Sequence, residues 1–116
     1  MTLESEIQHS VLSLLRAEFP HAFIRKLPVS GMHVGGGRMV KSPLAGMPDV
    51  VLIHEGRFIG FECKAPGRKR TDQAHQGKIH DQLRAAGASV FVVSSVREVQ
   101  SAIQELKGHP SDCGIY

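Results

Sequence analysis

The segment Met47 to Gly67, MPDVVLIHEGRFIGFECKAPG, constrains the fold more than any other part of the chain. Two short apolar runs, DVVLI and FIGFECK, flank HEGR, whose Glu-Gly pair suits a tight hairpin turn, so the runs are expected side by side as antiparallel strands. Side chains alternate along a strand, which puts Glu62 and Lys64 on one face and Phe61 and Cys63 on the other. Asp49 opens the first strand directly after Pro48, and a short hairpin brings its carboxylate to Glu62. Two carboxylates and one ammonium thus converge in a segment otherwise made for burial. A strand cap plus a surface ion pair would also account for such a triple. The preceding Pro, the apolar surroundings and the basic Arg68, Lys69 and Arg70 that follow favour a site beside a nucleic-acid backbone.

Around this hairpin the remaining pattern is that of one α/β domain. LESEIQHSVLSLLRAEF places Leu3, Ile7, Val11, Leu14 and Leu15 on one helical stripe, with Thr2 as cap and Pro20 just past the end. HAFIRKLPV, His21 to Val29, reads as a first strand. Between it and the hairpin lies SGMHVGGGRMVKSPLAGMP, whose glycines and prolines exclude a regular helix or a central strand and predict a long loop. A helix is expected from Thr71 to a stop at Gly87, then ASVFVV as a strand buried on both faces, then a short amphipathic helix ending at Gly108. The order α-β-β-β-α-β-α implies a mixed sheet, three strands as a meander and the fourth reached by a helical crossover. Residues 1–108 form the expected single domain and 109–116 a loose tail.

Composition narrows the class by exclusion. A chain of 116 residues has room for one core and not two. Cys63 and Cys113 form no CxxC pair and no disulfide framework, which suits a reducing cytoplasm, bacterial or that of a phage-infected host. No apolar run is long enough to span a bilayer, and MTLESEIQHS carries acids where a signal peptide carries bases, so no membrane partner is expected. The formal net charge of +3 is a mild bias toward polyanions. His9, His33, His54, His75 and His80 show no zinc spacing and read as surface or substrate-contacting residues. The glycines at 35 to 37 lack the G-K-[ST] ending of a phosphate-binding loop and read as an arm carrying Arg38 and Lys41.

Crowded carboxylates repel, and a divalent cation with hard oxygen ligands removes the conflict. Such an ion polarises a phosphoryl oxygen and acidifies bound water, while Lys64 is placed to orient that water or offset developing charge. The chemistry implied is phosphodiester hydrolysis.

MPDVVL…FIGFECKAPG resembles the core of the PD-(D/E)XK nucleases, and the continuation GRKRTDQAHQGKIHDQLRAAGASVFVVSS is similar to their VRR-NUC branch, over roughly Thr2 to Val99. The resemblance implies a restriction-endonuclease-like fold and a Mg²⁺- or Mn²⁺-dependent endodeoxyribonuclease. Asp49 and Glu62 match its metal-binding acids, Lys64 its catalytic lysine, and the Cys63 carbonyl its backbone metal ligand. Its helical Gln falls on Gln76, with Gln73 the weaker choice. Its first-helix Glu falls on Glu4 or Glu6, and Glu4 is preferred because it lies nearer the centre of the apolar stripe. Arg25, Lys26, Arg38, Lys41, Arg68, Lys69 and Arg70 are the expected phosphate contacts. Standalone members of this kind resemble resolvases that cut four-way Holliday junctions as two-fold dimers, so branched DNA and a homodimer are the expected partners. A non-catalytic DNA-binding module of the same fold and a sequence-specific restriction or defence nuclease are the alternatives.

Overall fold

The computed structural model of the chain describes residues 3–66 and 73–108. The elements are α1 (Leu3–Glu18), β1 (Phe23–Lys26), β2 (Met32–Val34), a 3-10 turn (Gly35–Gly37), β3 (Arg38–Val40), β4 (Val50–His54), β5 (Arg57–Cys63), α2 (Gln73–Ala85), β6 (Ser89–Val93) and α3 (Val96–Gly108). The central sheet has the order β1-β4-β5-β6. β1, β4 and β5 run as an antiparallel meander, and β6 pairs parallel with β5 after the α2 crossover. The mixed sheet with flanking helices is the one the sequence predicts.

Alternation along the strands assigns the two faces. Val50, Leu52, Ile59, Phe61, Cys63 and Val93 join Ile7, Val11 and Leu15 of α1 and Val99, Ala102, Ile103 and Leu106 of α3 in one buried core. Glu62 points to the opposite face, where α2 packs against β6. Leu3, expected on the inward stripe of α1, is instead exposed at the helix start. The turn of the β4–β5 hairpin has Glu55 at φ 52° and Gly56 at φ 77°, the two left-handed residues of a two-residue loop, as the Glu-Gly pair requires. α3 is started by Ser95, whose Oγ accepts the Glu98 N–H at 3.2 Å while Glu98 Oε1 accepts the Ser94 N–H at 2.5 Å.

Two expectations need correction. The segment from Ser30 to Pro48 is not all loop: β2 and β3 pair as a short antiparallel ribbon, Met32 opposite Val40 and Val34 opposite Arg38, outside the main sheet. Strands of three residues with both faces in solvent leave no apolar alternation to read. β6 is not buried on both faces: among the described residues it stands at the edge of the sheet, and Val92 stays 37% exposed. The proposed tail at 109–116 and the Thr2 cap lie outside the described residues.

Candidate active site

Pro48 fixes the position of Asp49. Its ring packs on Gly60 so closely that a Cβ at Gly60 would come within 2.5 Å of Pro48 Cγ. Only a glycine on β5 admits the ring, and the approach seats Asp49 at the head of β4 opposite the end of β5. There Asp49 Oδ2 accepts the Cys63 N–H at 2.7 Å, and its carbonyl accepts the Leu27 N–H at 2.7 Å. Both acids are buried, Asp49 at 4% and Glu62 at 2% exposure.

Glu62 is met on one oxygen by two neighbours. Lys64 Nζ lies 3.2 Å from Glu62 Oε2, and Gln76 Nε2 donates to the same oxygen at 3.3 Å. Lys64 is itself anchored by its N–H, which donates to the Val93 carbonyl at 2.9 Å. Glu62 Oε1 has no hydrogen-bond partner among the described residues, and neither has His80 Nε2, which lies 3.8 Å away. That separation is too long for a hydrogen bond. Burial, with Arg84 and Lys64 nearby, lowers the His80 pKa and holds the ring neutral, so the contact is not an ion pair.

Burial, then the neighbouring Asp49 charge, pushes Glu62 up to about 7 against the relief given by Lys64. Asp49 is raised too, by burial first and by the Glu4 charge, with the Cys63 N–H acting the other way. Glu4 is half-buried on the first turn of α1 and turns its charge toward the pair, while Glu6 is exposed. The Cys63 thiol is pushed up to about 12, by burial first and then by Asp49 and Glu62, which removes it as a nucleophile near neutral pH.

The structure therefore brings Asp49, Glu62, Lys64 and Gln76 together, with Glu4 close by. No group of three or more His, Cys, Asp or Glu side chains surrounds a single point among the described residues. The donor set fits a divalent ion all the same. A buried, unsatisfied carboxylate oxygen beside a second buried acid is the anionic hard-oxygen arrangement that Mg²⁺ or Mn²⁺ takes with only one or two protein carboxylates.

His80 is the residue that the sequence reading misplaces. Expected at the surface or against substrate, it is buried at 4% exposure on the α2 face that looks at Glu62. The signal was present in its spacing, four residues after Gln76 and so on the same helix face. Of the expected phosphate contacts, Arg25 keeps close to its own strand, donating to the Ile24 carbonyl at 2.8 Å and lying 4.6 Å over the Phe23 ring. Lys26, Arg38 and Lys41 are exposed. Arg68, Lys69 and Arg70 lie outside the described residues, as does the side chain of Gln73.

The sequence matches no protein-family model and no curated protein. A solved structure described as a VRR_NUC domain is similar to it, with a TM-score of 0.63 and 28% sequence identity over 90% of this chain and 97% of that one. A likeness so nearly end to end, on a mixed sheet that carries paired acids across one hairpin, defines a nuclease-type domain. Within that class the chain is similar to a VRR-NUC domain.

Proposed function

We propose that the protein is a metal-dependent, structure-selective DNA endonuclease that cuts branched DNA, four-way junctions foremost, as a homodimer. The observation that carries the reading is the buried Asp49–Glu62 pair with Lys64 Nζ 3.2 Å from Glu62. Asp49, Glu62 and the Cys63 carbonyl would hold a Mg²⁺ or Mn²⁺ ion, with Glu4 directly or through water, and the ion when bound supplies Lewis-acid polarisation of a phosphoryl oxygen and a more acidic water. Lys64, fixed to the sheet through its own N–H, orients the attacking water and offsets charge developing on the phosphate. Gln76 holds Glu62 Oε2 so that the other oxygen keeps its aim. Lys26, Arg38 and Lys41, with the basic run at 68 to 70, position the duplex without reading its sequence.

A chain with one such site makes one cut, and the two symmetric nicks that resolve a junction need two sites related by a two-fold axis. The experiment is cleavage of a labelled four-way junction, flap, duplex and single strand with Mg²⁺ or Mn²⁺, comparing the protein with Lys64→Ala. Paired symmetric nicks that need metal and disappear in the variant are the expected result. A junction that is bound but never cut with either metal would overturn the catalytic assignment.

A further inference from the structure

We propose that the β2–β3 ribbon is a DNA-binding arm that lies in the major groove of a duplex beside the carboxylate pair, an inference that rests on the nuclease reading for the identity of its partner. The ribbon leaves the sheet at the site itself. Its incoming stalk starts at Leu27, whose N–H donates to the Asp49 carbonyl at 2.7 Å, and its outgoing stalk ends at Pro48 against Gly60. Ser42 Oγ donates to the Pro28 carbonyl at 2.6 Å and ties the stalks together. At the base, Gly31 lies so near β3 that a Cβ there would sit 2.9 Å from the Val40 carbonyl.

Beyond this base the ribbon gives its apolar side chains to solvent. Met32 is 65% exposed, Met39 62% and Val40 53%. Their register puts Met32 and Val40 on one face and Met39 on the other, so neither face is spent on the core. At the tip Gly36 and Gly37 have φ of 79° and 74°, and a Cβ at either would meet nothing within 4 Å, which leaves bare backbone at the leading edge.

Charge decides what such a surface fits. From Phe19 to Pro48 the chain has no Asp or Glu, while Arg25, Lys26, Arg38 and Lys41 fall within that stretch. Neither Arg38 nor Lys41 pairs with an acid among the described residues. A ribbon meeting its own copy across a two-fold axis would set these cations against themselves with no acid to offset them. A duplex supplies the opposite charge. Its major groove, about 12 Å wide, admits a two-stranded ribbon, and the thymine methyls on its floor suit Met and Val side chains. Arg38 and Lys41 then meet the phosphates on its rim.

The test uses the full chain without metal. Binding to a labelled duplex is followed by anisotropy across a salt series, and guanine N7 methylation footprints the major groove, for the wild type, Arg38→Ala/Lys41→Ala and Met32→Ser/Met39→Ser. All four residues are exposed, so matched melting curves establish that each variant folds. The expected result is an affinity loss of about tenfold in the charge variant, with the slope of log affinity against log salt shallower by about 2. N7 protection should appear in the wild type and vanish in the methionine variant. Unchanged binding and footprint in both variants would overturn the arm. So would protection confined to adenine N3 in the minor groove, or a binding loss that accompanies a halved mass in sedimentation, which would assign the ribbon to a second copy. A wild type that shows the ribbon-dependent footprint yet cuts no DNA with Mg²⁺ supports the arm and removes the nuclease. One that cuts while both variants bind as it does removes the arm alone.

Discussion

Glu62 is buried beside Asp49 and its Oε1 looks at a neutral imidazole, so ionising this carboxyl in the metal-free protein is unfavourable despite Lys64 and Gln76 on Oε2. Its pKa stands near 7, above the ordinary 4.5. A carboxyl raised on folding contributes stability in full below its unfolded value and loses it as pH climbs through the folded one. The metal-free protein is therefore expected to weaken between about pH 4.5 and 7, by on the order of 3 kcal/mol at most from this group. Melting in EDTA at pH 5 and pH 8 measures the drop. In Glu62→Gln it should shrink, and Mg²⁺ should raise the wild-type melting temperature more at pH 8 than at pH 5. Equal drops in the two proteins would rule Glu62 out as the source. Asp49, Glu62 and Lys64 were legible because strand alternation and one short turn bring them together. Gln76 came only through resemblance, and His80 was missed, because polar residues on a helix normally face water and nothing in their identity shows that Glu62 lies beneath.

At the scale of elements, the β4–β5 hairpin is a close fit between a proline and a glycine. Gly60→Ala places a methyl group 2.5 Å from Pro48 Cγ, and relieving that clash must move the start of β4, which carries Asp49. The substitution should cost about 1–3 kcal/mol, as overpacking does, and should lower turnover while DNA binding without metal stays near wild type. Thermal melting and single-turnover cleavage separate the two effects; a fully active Gly60→Ala would show that the approach does not set the acid. The hairpin turn could be read because Glu55-Gly56 needs two left-handed residues, a demand visible in residue type. The β2–β3 ribbon could not, because glycine at its tip and base hides strands too short to show a period. α2 was legible as a helix from its Gly87 stop, but its inward face was not, since Gln76 and His80 replace the apolar residues that a pattern search needs.

Across the whole molecule, one face of the sheet holds α1 and α3 over a continuous apolar core, and the other holds α2 over the acids. The sheet order followed from two facts of chemistry, a tight turn for the meander and a helix between parallel strands. The edge position of β6 did not, because an apolar run such as SVFVV reads alike at an edge or a centre. α1 and α3 are also joined by Lys107 Nζ on Glu18 Oε2 at 2.7 Å, yet both side chains are nearly half exposed, so this pair adds little beside the core. Those two kinds of connection also set an order in time. The β4–β5 hairpin closes across a two-residue loop, on the microsecond scale of local structure, whereas β6 must return over the whole α2 crossover before it finds β5. Pulse-labelled hydrogen exchange during refolding should protect the amides of Leu52 and Ile59 before that of Val93. The acids would then be paired in the youngest folded species and meet Gln76 and His80 only as the last strand docks, so an arrested chain could carry its carboxylates together and still lack the helix that steadies them.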